Sequence, residues 1–260
     1  MKNFTCFNCF RCFMSFMSFN RFNRFRCESD PLKMKHRSRI PTGEIEFAGK
    51  LCTKCMQPMA EHNMTRLIEC VPNFSEGRDM GVIRQITDEI EKIEGVKLLD
   101  VDPGATTNRT VVTFVGTPDE VVEAAFQAVR KAQELIDMRG HKGDHPRFGA
   151  TDVCPLVPVS GITMEETAEY ARRLGQRIGD ELGIPVYLYE NAAASETRRN
   201  LANCREGEYE GLKDRIASAE WRPDFGPAEF TESVARSGAT AVGARDFLIA
   251  VNFNLNTTST

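Results

Sequence analysis

The chain has 260 residues, 41% of them hydrophobic and 27% charged, which is enough apolar content for one sizeable core. A formal net charge of −4 gives nucleic acid no long-range pull on the chain as a whole. No run of about 18 apolar residues occurs, which argues against a transmembrane helix, and Asn and Arg interrupt the first thirty residues, which argues against a signal peptide.

Residues 1–63 do not pattern as a folded domain. Phenylalanine recurs at positions 4, 7, 10, 13, 16, 19, 22 and 25. A period of three matches neither the helical 3.6 nor the strand period of 2. The expectation is a low-complexity extension upstream of the true start, with Met64 as the initiator and Met56 and Met59 as alternatives. Six of the nine cysteines fall here: Cys6, Cys9, Cys12, Cys27, Cys52 and Cys55. Their Cys-x2-Cys spacing, with His62 nearby, has the format of a zinc site. No strand signals flank them, so coincidence in a Cys-rich repeat is the preferred reading and no metal is expected. Cys70, Cys154 and Cys204 are far apart and fit the free thiols of a cytoplasmic protein.

From Leu67 the chain is orderly. Leu67 to Val71 predicts a short strand stopped by Pro72-Asn73. Ile83, Ile86, Ile90 and Ile93 fall at helical spacing, ending at Glu94-Gly95. Val96–Val101 and Thr110–Val115 predict the second and third strands. Thr117-Pro118-Asp119-Glu120 has the form of a capping box with Pro at the first helical position, opening a helix with Val121, Val122, Ala125, Val129, Ala132 and Ile136 on one face. A strand follows near Cys154–Val159. Thr163 to Glu166 is a second capping box, whose helix closes at Gly183, and Pro185–Tyr189 is the next strand. Residues 192–218 predict one or two short polar helices, Asp224 to Pro227 a turn, and Phe247–Phe253 a strong strand.

The order β-α-β-β-α-β predicts an α/β (α+β) fold: a ferredoxin-like split βαβ sandwich with helices on one face, its mixed sheet extended by the final α-β. The late strand suggests that residues 64–243 form one subdomain and 244–260 the start of another.

The segment from His141 to Gly149 packs two histidines, two basic residues, an acid and two glycines into nine positions. Its Gly and Pro residues make it a loop, and a charge-dense loop between apolar elements is where sites are built. Histidine moves protons near neutral pH. A zinc-protease arrangement of His141 and His145 is excluded, because Lys142 stands where a Glu is needed and Gly143 and Pro146 break the helix. Each histidine could equally be a loop residue bonded to a neighbouring carbonyl, and Arg109, Lys142, Arg147 and Arg245 could be solvated surface charges. As a group near the loop, these basic residues suit a ligand with carboxylates. No Gly-x-Gly-x-x-Gly or Gly-x4-Gly-Lys motif is present.

The wording of several segments goes further. Glu69-Cys70-Val71-Pro72-Asn73-Phe74-Ser75-Glu76-Gly77, Leu99 to Asp102, Thr107-Asn108-Arg109-Thr110-Val111, Thr113 to Gly116, Leu135 to Met138, His141 to Gly149, Asp152 to Pro155, Pro185 to Tyr189, Trp221 to Pro227 and Gly238 to Arg245 follow in one order. Together they resemble the glutamate formimidoyltransferase family, which also forms the N-terminal part of the bifunctional formimidoyltransferase-cyclodeaminases. The resemblance covers about residues 66–256. It implies transfer of a formimino group from N-formimino-L-glutamate to tetrahydrofolate, a cytoplasmic step of histidine degradation. Tetrahydrofolate enters as a co-substrate, and no metal, nucleic acid or membrane is implied; a homodimer is compatible.

The family's catalytic histidine corresponds to His145, with Asp102 expected to orient or charge the imidazole and Asn73 to hold substrate. Arg109, Lys142, Arg147 and His141 are the expected substrate-binding groups. The folate stretch corresponds to Gly226 through Gly238, with Gly226, Pro227, Ala228, Glu229, Phe230 and Gly238 as its contacts. Thr231–Arg236 departs from the family and makes the stretch a few residues longer. By the same resemblance the chain stops about one strand into a second subdomain, and the cyclodeaminase part is absent. The alternative reading is therefore an inactive protein that binds folate or a partner through this subdomain alone.

Overall fold

The computed structural model describes residues 64–249. The phenylalanine repeat, the six early cysteines, His62 and residues 250–260 lie outside the described residues.

Strand β1 (Leu67–Cys70) and strand β2 (Asn73–Phe74) are two halves of one line, broken at Val71-Pro72. Both pair antiparallel with β4 (Arg109–Gly116) on one side and β5 (Thr151–Ser160) on the other. Strand β3 (Lys97–Gly104) pairs antiparallel with β4 at the edge. The order β3-β4-β1/β2-β5 is that of the split βαβ sandwich, as the element sequence predicts. The extension differs in detail. Strand β6 (Val186–Glu190) does not join β5 directly; β7 (Thr240–Ala244) lies between them, parallel to both. In Thr240-Ala241-Val242-Gly243-Ala244, three of five residues are Ala or Gly, which disfavour strands. It becomes a strand because all five residues are buried between two partners. Helices lie over both faces at that end of the sheet, as parallel strands require.

Three long helices cover one face: α1 (Met80–Glu91), α2 (Pro118–Leu135) and α3 (Met164–Arg177). Their apolar stripes meet the inward-facing residues of β4 and its neighbours, including Val112, Phe114, Ile68, Leu156 and Val242, in the main core. Helix α1 is capped by Asp79, whose carboxylate accepts from the backbone N–H of Gly81 and Val82. The box at Thr163 closes reciprocally with Glu166. The one expected at Thr117 does not: its side chain makes no cap bond, and Glu120 Oε2 has no partner among the described residues. The fixed φ of Pro118 starts that helix without it. After α3 the chain widens into a single π turn, Ile178–Leu182, and stops at Gly183 in the left-handed conformation.

Four short helices, α4 (Glu196–Arg199), α5 (Leu201–Cys204), α6 (Glu208–Ile216) and α7 (Glu232–Ser237), add a second layer. Leu212, Ile216 and Val234 from this layer pack on Val153, Tyr187, Tyr189 and Ala241. Val186 and Leu188 meanwhile face the main core, so β6 is buried on both sides. The one-face expectation therefore holds for the three long helices, and the short ones roof the β5-β7-β6 end of the other face. Phe247, Leu248 and Ile249 are exposed and lie outside any strand; the rest of the strand expected at 247–253 is beyond the described residues. Among the described residues no helix is long and apolar enough to cross a membrane.

Candidate active site

Strand direction brings the site together. β4 and β5 are both antiparallel to the β1/β2 line between them, so they run the same way and their first residues share one edge. β6 and β7 run with them. The loop from His141 to Ala150 precedes β5, Gly238 precedes β7, Phe225 bridges to Val186 at the start of β6, and Arg109 opens β4. Asp102 lies directly across from Val111, and Asn73 faces the same Val111 from the other side. Opposed residues of a sheet share a face. Asp102, Arg109 and Asn73 thus lie on the face away from the long helices.

Asn108 ties the edge together. It sits at a positive φ of 47°, which Asn tolerates better than most residues. Its side-chain oxygen accepts from Gly77 N (3.1 Å), and its amide donates to Lys142 O (3.0 Å). One buried side chain thereby links the loop before α1, the β3–β4 hairpin and the histidine loop. At the other end of that loop, Gly149 pairs with Gly238. Ala150 N donates to Ser237 O (2.7 Å) and Ala239 N to Phe148 O (2.9 Å). A Cβ on Gly149 would run into the backbone of Ala239, so only glycine permits this approach.

The two histidines hold opposite tautomers. His145 Nδ1 lies 2.6 Å from Pro146 O, and a carbonyl only accepts, so Nδ1 carries the proton. Its Nε2 is 2.7 Å from Arg109 Nη1, which only donates, so Nε2 presents its lone pair. Burial, then the nearby Arg109 charge, hold the His145 pKa below the ordinary histidine value. In His141, Nε2 donates to Asn108 O (3.0 Å) and Nδ1 accepts from Arg147 Nε (3.3 Å). Both of its nitrogens are occupied by the fold, and burial lowers its pKa too. His141 is therefore placed as a loop support, not as a group open to substrate.

The expected basic residues separate in the same way. Arg147 is buried and bonds Glu208 (2.9 Å), both oxygens of Glu210 (2.9 and 2.7 Å) and His141 O (3.2 Å). Its charge is already answered, and it clamps the start of α6 to the histidine loop. Lys142 is exposed beside it, on the rim of an open pocket of about 510 Å³ lined also by Gly143, Arg147, Gly207, Glu208 and Glu210. Arg245 lies past the far end of β7, away from this edge. Asp102 makes no hydrogen bond to His145: the imidazole's partners are Pro146 and Arg109, and the carboxylate acts through space on Arg109 instead. The side-chain amide of Asn73 donates to Val71 O (3.1 Å).

In the stretch assigned to folate, Gly226 takes a positive φ of 79° against Ile184, Pro227 and Ala228 are half-buried, Glu229 is exposed, and Phe230 packs on Tyr209 with ring centroids 6.4 Å apart. The unfamiliar segment Thr231–Arg236 folds as most of α7. Glu232 pairs with Arg139, and Arg236 donates to Glu134 O (2.6 Å).

Two residues were not singled out from the sequence. Asp152, fully buried at the start of β5, accepts from Phe148 N (3.2 Å). Arg205, just after α5, places Nη2 at 2.9 Å from Asp152 Oδ2. That contact is too poorly angled for a hydrogen bond, and Arg205 Nε is buried without a partner among the described residues. Burial consequently outweighs the charge contact and pushes the Asp152 carboxyl up to about 6. A charged residue opening a buried strand is the one sequence signal that marks Asp152; Arg205 sits in an unpatterned polar stretch and gives none. Two guanidiniums, Arg109 and Arg205, thus share one buried carboxylate beside the imidazole, with the exposed Asp102 also acting on Arg109, an arrangement that suits an anionic ligand.

Known proteins match this chain in sequence. A formimidoyltransferase-cyclodeaminase of Gallus gallus is 57% identical over 192 residues, 74% of this chain and 35% of the relative. Glutamate formimidoyltransferases of Thermoplasma acidophilum and Streptococcus pyogenes are 50% and 46% identical, each over about three quarters of this chain and 63% and 64% of their own lengths. The chain thus spans about a third of the bifunctional relatives and just under two thirds of the shorter ones. Residues 67–245, from the first strand to the residue after the last, match the family described as the formiminotransferase domain, N-terminal subdomain, and the chain belongs to that family.

Proposed function

We propose that this chain carries the catalytic half of a formimino transfer from N-formimino-L-glutamate to tetrahydrofolate, with His145 as the general acid/base. The reading is supported by family membership and by one observation above the rest: the Nδ1 proton of His145 is fixed on Pro146 O, which commits Nε2 as the basic nitrogen. In the reaction, folate N5 bonds to the amidine carbon and gives up its proton. The bond from that carbon to the glutamate nitrogen then breaks, and the departing amine gains a proton. Nε2 accepts the first proton and returns the second, so the imidazole ends as it began. A lowered pKa keeps Nε2 unprotonated at neutral pH, which the first half of the cycle needs.

Arg109 would answer a carboxylate of the donor, with Lys142 at the rim. Asn73 is proposed to hold substrate and Asp102 to set the field around Arg109. The stretch from Gly226 to Gly238 is proposed to receive the folate, since its two ends lie beside the starts of β6 and β7 on the same edge. The setting implied is cytoplasmic histidine degradation.

The test is formimino transfer by the 260-residue chain beside His145→Ala. Transfer that falls at least 100-fold on substitution is expected, the usual contribution of a positioned acid/base. No transfer by either protein, with folate still bound, would favour the non-catalytic folate-binding reading instead.

A further inference from the structure

We infer that Arg109 caps the basic nitrogen of His145, and that a carboxylate of the formimino donor uncovers it by drawing the guanidinium away. The inference rests on the transferase reading for its substrate but on geometry for its mechanism. Arg109 Nη1 is 2.7 Å from His145 Nε2, the only lone pair left on that ring. While this bond stands, Nε2 can take no proton from folate or from water.

Among the described residues, no carboxylate forms an ion pair with the guanidinium at this position. It is half-buried at the first residue of β4. The acids that act on it are Asp152, whose nearer charge partner is Arg205, and Asp102, which is exposed on β3. An arginine–carboxylate pair is charge-assisted and bidentate, whereas the bond to a neutral imidazole is neither on the acceptor side nor paired. A substrate carboxylate therefore outcompetes Nε2 for the guanidinium. Two effects then act on His145 together: its lone pair is freed, and the positive charge that disfavours imidazolium is neutralised. The other charges facing the ring, Arg205 before α6 and Glu208 at its start, are unchanged by this exchange.

The consequence is specificity expressed in the chemical step. A donor with a carboxylate switches the base on; an amidine without one would leave it capped. Folate bound alone would meet a capped imidazole, so the donor must be present before N5 is deprotonated.

Histidine-selective ¹⁵N NMR tests this directly, since the chain has four histidines and His145→Ala assigns the signal. Adding L-glutamate to the wild-type chain should raise the titration midpoint of His145 by on the order of one pH unit, while glutaramide, which lacks the charges, should not. Arg109→Gln should raise the midpoint without ligand and remove the response to glutamate. An Arg109→Gln midpoint equal to that of wild type, or a glutamate response undiminished in the variant, overturns the proposal. The wild-type glutamate titration decides the matter by itself if the variant does not fold. A His145 response without any formimino transfer would sink the transferase reading and leave the cap standing; transfer with no His145 response would do the reverse.

Discussion

Asp152 should make this protein less stable as pH rises across the weakly acidic range, the opposite of a carboxylate in a good ion pair. Its folded pKa is about 6 against an ordinary value of 3.8. The folded state therefore binds the proton more tightly, and between these two values it holds more protons than the unfolded chain. Stability falls with pH wherever that is so. The whole interval corresponds to about 3 kcal/mol, and about 2 kcal/mol of it is lost between pH 4.5 and 7.5. Other carboxylates slope the other way. Asp137, held at about 2 by Arg139, and Glu210, lowered by Arg147, contribute stability that is lost as pH falls. The informative quantity is therefore the difference between wild type and Asp152→Asn. The amide has the same shape and cannot ionise, but it leaves Arg205 without its counter-charge, so the absolute offset mixes two effects. Its pH dependence does not. Thermal denaturation should show the Tm of the wild type falling relative to Asp152→Asn by roughly 4–8 °C from pH 4.5 to 7.5, at about 2–4 °C per kcal/mol for a domain of this size. A constant gap across that range would show that Asp152 is not a raised, buried acid.

Arg147→Ala should cost about 2 kcal/mol, read as a lower Tm. The Glu208 and Glu210 carboxylates are 42% and 67% exposed and recover water, so most of the loss comes from the orphaned His141 acceptors. Arg147→Lys should recover little, because an ammonium cannot bridge His141 and two carboxylates at once; near-wild-type stability of either variant would contradict the clamp. Thr163→Ala should lose about 1 kcal/mol with its reciprocal box, while Thr117→Ala, with no cap bond to lose, should stay within about 0.5 kcal/mol. Equal losses at the two threonines in urea denaturation would refute that distinction.

What the chain disclosed of itself followed the physics of each signal. Periodic apolar residues in α1 and α2 marked those helices because burial of one stripe is what makes them helices. β7 escaped because Ala and Gly become a strand only once β5 and β6 stand on either side. Thr117 and Thr163 each stand three residues before a Glu, and only the second box forms. The histidine loop was legible as a site from its composition, but which histidine could do chemistry was not. That choice depends on Asn108 O and Arg147 reaching His141 while Pro146 O and Arg109 reach His145, and each partner except Pro146 and Arg147 arrives from another element. Arg147 looked like a substrate ligand and is instead consumed by Glu208 and Glu210, more than sixty residues further on.

Convergence at one edge follows from topology. In a split βαβ sheet, the strand opened by Arg109 and the strand that follows the histidine loop are both antiparallel to the first strand, so their starts must fall on the same side. A parallel addition to the second of them, as β7 is, brings its own leading loop to that side as well. The β3–β4 hairpin, the histidine loop and the segment ending at Gly238 then meet without any long-range design beyond strand direction. What strand direction cannot supply is closeness within the edge. Asn108 bonds Gly77 and Lys142 at once, and Gly149 lets the backbone of Ala239 approach where a side chain would block it. The sheet chooses the edge, these two residues hold the loop on it, and Arg109 and His145 are thereby brought into contact across 36 residues of sequence.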